Sequence, residues 1–199
     1  MANITNKSIV EIFKRELDFL VDGISNSGNP YHFFYLSTFD TSDGVESRTV
    51  VLRHVDTEKP SISFNADSRS PKVKHLTNNT SCSALFYDNA RRVQIRAKCD
   101  AHISHLDDIS KEVWINTPLQ SRKCYMGDYS PSSITSDWQP NIPRMYMKRD
   151  PERSDSEKGF ENFCVVSLQI KTIDVLELHH NGHIRFKWDP INKFTFLAP

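Results

Sequence analysis

Residues 47–76 read SRTVVLRHVDTEKPSISFNADSRSPKVKHL, and the chain is organised around them. The alternating, β-branched run over 47–55 predicts a strand with an arginine near each end, Arg48 and Arg53. A turn at 57–60 leads to a second, shorter strand over 61–65. Ser70 before Pro71 is an N-cap and first-turn pair, so a helix is expected from Pro71 to about Asn78. The open N–H groups of such a helix start favour an anion, and Lys72 adds charge in its first turn. Arg69, Ser70, Lys72 and Lys74 crowd a helix end where the dipole disfavours cations unless an anion is present. Arg48 and Arg53 are five residues apart, roughly 17 Å at about 3.3 Å per residue. Their odd separation puts them on opposite faces of a regular strand. They would therefore touch two parts of an extended ligand rather than grip one phosphate. The residues alone equally allow solvated strand-end arginines and an ordinary capped surface helix.

Composition limits the partners. The 199 residues carry 25 basic and 25 acidic side chains, so there is no bulk positive field for nucleic acid or an anionic membrane. An apolar content of 38% suffices for one packed domain over 1–199. No apolar run reaches the length of a membrane span. MANITNKS lacks the apolar centre of a signal peptide, so a soluble, cytoplasmic chain is expected. Cys82, Cys99, Cys124 and Cys164 form no CxxC pair and read as free thiols, buried where they fall on strands.

The order of elements points to a mainly β fold. Ser8 and Glu11 make a capping-box pattern before Ile9, Ile12, Phe13, Leu17, Leu20, Val21 and Ile24, which recur at helical spacing. Strands follow at 31–38, 47–55, 61–65, 82–87 and 92–102, and a helix opens at Asp107 and Asp108. Residues 116–160 have no sustained period, although Tyr125, Met126, Trp138, Met145, Tyr146 and Met147 favour partial ordering. Strands return at 163–169, 172–178, 183–189 and 193–197, with Asn181-Gly182 as a hairpin signal. Roughly eight strands and three helices predict an antiparallel barrel with helices packed outside.

The runs RTVVLR, FNADSRSPKVKHL, NNTSCSALFY and QIRAKCDAHIS, closing with HIRFKW and a terminal FLAP, resemble the pyridoxamine 5′-phosphate oxidase-like family of FMN-binding split barrels. SRSPK looks more like a divergent branch than the oxidases themselves. The resemblance covers about 31–199 and implies a homodimer with FMN in a cleft between subunits. It places Arg48, Ser70 and Lys72 at the FMN phosphate, with Ser132 as a further phosphate contact. It places Arg53, the neighbouring Val51 and Leu52, and the backbone of Asn65 and Ala66 along the flavin. Gln94 and Arg185 are the remaining flavin contacts, and His183 is the one retained substrate contact.

The departures concern Pro71, where the oxidases have a second basic residue, and the substrate side. Asn181 replaces a substrate arginine, and Val113 and Thr117 stand nearest to a tyrosine and an arginine that hold the substrate phosphate. The resemblance therefore implies an FMN-dependent oxidoreductase acting on a small substrate. It also leaves open a non-catalytic or differently specific FMN-binding module, or a dimeric barrel without cofactor. His179, His180 and His183 do not form a metal set: His180 and His183 would face each other across a two-residue hairpin, and no acidic or thiol ligand accompanies them.

Overall fold

In the computed structural model, which describes residues 5–42 and 44–199, a single antiparallel sheet curls around the core. The elements run α1 (Asn6–Gly23), β1 (Phe33–Asp40), β2 (Gly44–Val51), β3 (His54–Asp56), β4 (Ser61–Asp67), α2 (Pro71–Asn78), β5 (Ser81–Asp88) and β6 (Val93–His105). They continue with α3 (Asp108–Asn116), α4 (Leu119–Arg122), α5 (Arg153–Ser156), β7 (Phe163–Glu177), β8 (Ile184–Asp189) and β9 (Lys193–Phe196). The strand order is β2-β1-β5-β6-β7-β4-β3, with β8 added to β7 and β9 to β8. These nine strands and their outer helices, counted among the described residues, form a split barrel. The amino-terminal MANI and Asp43 lie outside the described residues.

β7 makes the curl possible. One edge pairs with β6 throughout; the other pairs with β4 over 163–169 and with β8 over 173–177. The sequence predicts two strands here. They are one because the β6–β7 register shifts between Lys98 and Cys99, so Lys171 is taken up as a bulge residue instead of a turn. Period-two alternation then fills the interior: Phe34 and Leu36 of β1, Phe64 of β4, Phe86 of β5, Ile95 of β6, Leu168 and Val175 of β7 and Phe186 of β8 are all buried.

The predicted strand over 47–55 is two strands. β2 ends at Val51, the Leu52 N–H bonds the His32 carbonyl at 2.9 Å, and the Arg53 N–H bonds the Ser63 carbonyl at 2.8 Å. The chain changes partner at this point, from β1 to β4, so the face argument for Arg48 and Arg53 does not apply. Other boundaries also move. The α1 cap is Thr5, reciprocally bonded with Ser8, so the Ser8/Glu11 box is not used. Residues 178–183 form a longer loop between β7 and β8 than the two-residue turn expected at Asn181-Gly182, although Gly182 does adopt a positive φ of 124°.

A buried charge cluster fixes α1 to the barrel. Glu16 receives the Tyr31 hydroxyl at 2.7 Å and the Arg91 guanidinium at 2.7 Å, and it also pairs with Arg15. Arg91 in turn lies 3.7 Å from the Phe19 ring centre. Tyr31→Phe removes one hydrogen bond to a carboxylate while leaving both cations in place. It is expected to cost about 1.5–3 kcal/mol, read from the urea unfolding midpoint.

Candidate functional site

Arg48, Ser70, Lys72 and Ser132 line one cavity of about 440 Å³, together with Glu46 and Pro71. Arg48 comes from β2, paired with Leu36 of β1, and Lys72 from the first turn of α2. The Arg48 Nη1 donates to the Thr38 hydroxyl at 2.7 Å, and its Nη2 donates to Glu46 Oε2 at 2.8 Å. Lys72 has no hydrogen-bond or ion-pair partner among the described residues. Burial, and then the Arg48 charge, lower its pKa. Ser70 has the extended backbone of an N-cap, yet its hydroxyl donates to the Asp67 carbonyl at 2.7 Å rather than capping the helix. The pair of cations beside a helix start, one of them partly desolvated and unpaired, is suited to an anion.

Neither of the other basic residues of this segment reaches that cavity. Arg69 is held by Asp67 through two side-chain bonds and donates to the Gly127 carbonyl at 3.1 Å. It therefore ties the helix approach to the long loop. Lys74 is exposed on α2.

A second cavity, about 290 Å³, gathers Arg53 and Asn65 with Glu112, Val113, Thr117 and Tyr125. Asn65 projects from β4, where it is paired with Val165 of β7, and its Oδ1 is buried without a hydrogen-bond partner. An orphan acceptor at a cavity wall marks a place where a ligand donor would be satisfied. The Tyr125 phenol is pushed up by burial and stays neutral. Val113 and Thr117 share one face of α3 and its C-cap, a spacing of four that also sets Glu112 beside Asn116. Glu112 and Tyr125 were not singled out from the sequence as site residues. The helical phase of Val113 would have pointed to the first; only the folded loop brings in the second.

The remaining predicted residues line neither cavity. Gln94 and Arg185 both oppose Leu176, on β6 and β8 respectively, which puts them on one rung of the outer sheet face. There Arg185 is paired with Asp174 at 2.9 Å, and Arg96 shares the same carboxylate at 2.7 Å. Val51 opposes Phe33 at the end of β2, while Leu52 and Ala66 have their side chains in the core. His183 is exposed in the β7–β8 loop, where its Nδ1 accepts from the His179 N–H at 3.2 Å. His180 and His183 are not cross-strand partners, because both lie in that loop.

Residues 13–105 match the family model described as "Pyridoxamine 5′-phosphate oxidase, FMN-binding domain". No curated protein sequence matches the chain. Among solved structures, the chain is similar to a pyridoxamine 5′-phosphate oxidase-related, FMN-binding protein from Nostoc punctiforme. That match has a TM-score of 0.70 at 17% identity and covers 100% of both chains. PhzG from Burkholderia lata, solved with tetrahydrophenazine-1-carboxylic acid, gives 0.66 at 18% identity, over 96% of this chain and 92% of that one. At these identities the similarity speaks for the fold.

Proposed function

We propose that the chain binds FMN and acts as an oxidoreductase on a small substrate other than pyridoxamine 5′-phosphate, a reading supported by the match of residues 13–105 to the FMN-binding domain model of the pyridoxamine 5′-phosphate oxidase family. The observation that supports FMN most directly is the first cavity, where Arg48, Ser70, Lys72 and Ser132 converge and Lys72 has no partner among the described residues. A phosphate there would accept from Lys72 and Ser132 and complete the coordination of Arg48. The partnerless Asn65 Oδ1 at the second cavity fits a ring donor. Bound FMN supplies a two-electron acceptor, and the protein contributes position and charge. Arg53, exposed at that second cavity and free of side-chain partners among the described residues, would stabilise negative charge on a reduced ring.

A homodimer completes this reading. Gln94 and Arg185 lie on the outer face, away from both cavities, and a cofactor could use all of these groups if a second copy brought that face across. The same face exposes Phe33, Tyr35, Phe39, Val45 and Tyr87, a set of large apolar side chains on adjoining strands.

Substrate specificity is where this reading departs from the oxidases. The second cavity offers one cation, Arg53, opposed by the Glu112 carboxylate, and Val113 and Thr117 add no charge. A phosphate dianion would gain little there. The full chain purified and titrated with FMN is expected to show quenched flavin fluorescence and to sediment as a dimer. With pyridoxamine 5′-phosphate and oxygen it should form no pyridoxal phosphate and no peroxide. Unquenched FMN would overturn the cofactor assignment; steady pyridoxal phosphate formation would overturn the specificity.

A further inference from the structure

Two of the four cysteines face each other directly. Cys82 of β5 is the register partner of Cys99 of β6, on the core side of the sheet, and both line a cavity of about 490 Å³ bordered by Thr38, Phe39, Lys98 and Lys171. Cys82 is half-buried and Cys99 is buried, and both are free thiols. The Ala101 N–H bonds the Thr80 carbonyl at 2.8 Å, which makes that rung a hydrogen-bonded pair. Two rungs on, Cys82–Cys99 is the same kind of pair, with a Cα separation of about 5.5 Å. That falls inside the window of roughly 4.4–6.8 Å in which a disulfide can close.

We propose that Cys82 and Cys99 form a redox-active dithiol site that a peroxide converts to an intrachain disulfide. The order of events follows from burial. Both reach the cavity, but Cys82 is the less buried, so its sulfur attacks one peroxide oxygen. The O–O bond breaks, water leaves after taking up a proton, and Cys82 becomes a sulfenic acid. Contact with the Cys82 sulfur, and burial, push the Cys99 thiol up, which keeps it protonated until its neighbour is oxidised. Its sulfur then attacks Cys82 while its proton leaves with the hydroxyl as a second water. The S–O bond breaks as the S–S bond forms. Two thiols have lost two electrons, and one peroxide has become two waters.

The geometry also makes the bridge reversible. Facing Cβ atoms in a sheet stand about 4.5–5.5 Å apart, whereas a disulfide wants about 3.5–4.5 Å. The strands must close slightly, and the register shift between Lys98 and Cys99 is where β6 can give. A bridge formed under such tension is more easily reduced than a relaxed structural one.

The test uses the folded full chain carrying Cys124→Ser, which removes the one exposed thiol. Hydrogen peroxide treatment, alkylation of the remaining thiols and peptide mapping should reveal a Cys82–Cys99 cross-linked peptide, lost after dithiothreitol. Adding Cys99→Ser should stop the reaction at a Cys82 sulfenic acid trapped by dimedone. Both cysteines recovered alkylated, or Cys82 recovered as sulfinic acid with Cys99 still free, would overturn the proposal.

Discussion

Replacing Lys72 by methionine is expected to weaken FMN binding about 10- to 100-fold without destabilising the cofactor-free protein. The ammonium would lose a charge-assisted contact to the phosphate, worth about 1.5–3 kcal/mol; each 1.4 kcal/mol is about a factor of ten in Kd. The fold has no use for that charge: Lys72 makes no hydrogen bond or ion pair among the described residues, it is partly desolvated, and Arg48 stands nearby. Methionine keeps the apolar stem in place. Arg48→Ala differs, because Arg48 also bonds Thr38 and Glu46, so it should weaken FMN binding and lower stability together. Equal FMN titration curves for wild type and Lys72→Met would remove Lys72 from the phosphate site.

The lowered Lys72 pKa adds a pH signature to the same variant. Between its folded value and the ordinary 10.5, the unfolded chain holds a proton that the folded chain has lost. The unfolded state binds more protons in that window, so this residue makes cofactor-free stability rise with pH there. Below the window both states are charged and the cost of burying the ammonium is fully felt. Denaturation midpoints followed through the alkaline range should lose this contribution in Lys72→Met, and saturating FMN should suppress it in the wild type by holding the ammonium charged.

What could be read from the sequence depended on whether the signal was local. Strand alternation and the Pro71 helix start are short-range patterns, so β1, β5, β6 and α2 stand close to where periodicity puts them. Ser70 and Lys72 flank a recognisable helix end, so their sharing a cavity was legible locally, whereas Arg48, from a different strand, was brought beside them only by the family resemblance. The change of partner at Leu52–Arg53 was not legible. It is set by His32, in the turn just before β1, and by Ser63 of β4, and nothing in RTVVLR records it. Lys171 likewise reads as a turn residue until the bulge opposite it is known. The capping box moved from Ser8 to Thr5 because Thr5 and Ser8 satisfy each other's backbone, a choice the Ser8/Glu11 pattern could not exclude. In the long loop, Tyr125 and Tyr146 are held as their aromatic character suggests, while Trp138, Met145 and Met147 remain exposed.

The order of that loop rests on a residue that composition conceals. Arg122→Met is expected to destabilise the protein by about 3–5 kcal/mol. Arg122, the last residue of α4, is fully buried, and its guanidinium donates to the carbonyls of Trp114 at 2.6 Å and Thr117 at 3.1 Å. It also donates to the Ser156 hydroxyl at 3.0 Å and to Glu157 Oε1 at 2.8 Å, and it lies 4.5 Å from the Trp114 ring. One side chain thus joins the end of α3 to α5, closing the loop over 116–160 at both ends. Methionine fills most of the volume but leaves those acceptors buried without donors. Glu157 is 53% exposed at its side chain and can be rehydrated, so the cost falls mainly on the carbonyls and on the small core of Trp114, Phe163 and Val165. Because α3 and Tyr125 wall the second cavity, hydrogen exchange should rise across 108–125 and 153–162 in this variant. The barrel strands β5 and β6 should stay protected relative to them. Arg122→Lys should recover only part of the loss, since an ammonium cannot reach all of these acceptors from one position. Unchanged stability in Arg122→Met, with unchanged exchange across both segments, would show that the loop is held by its aromatic contacts instead.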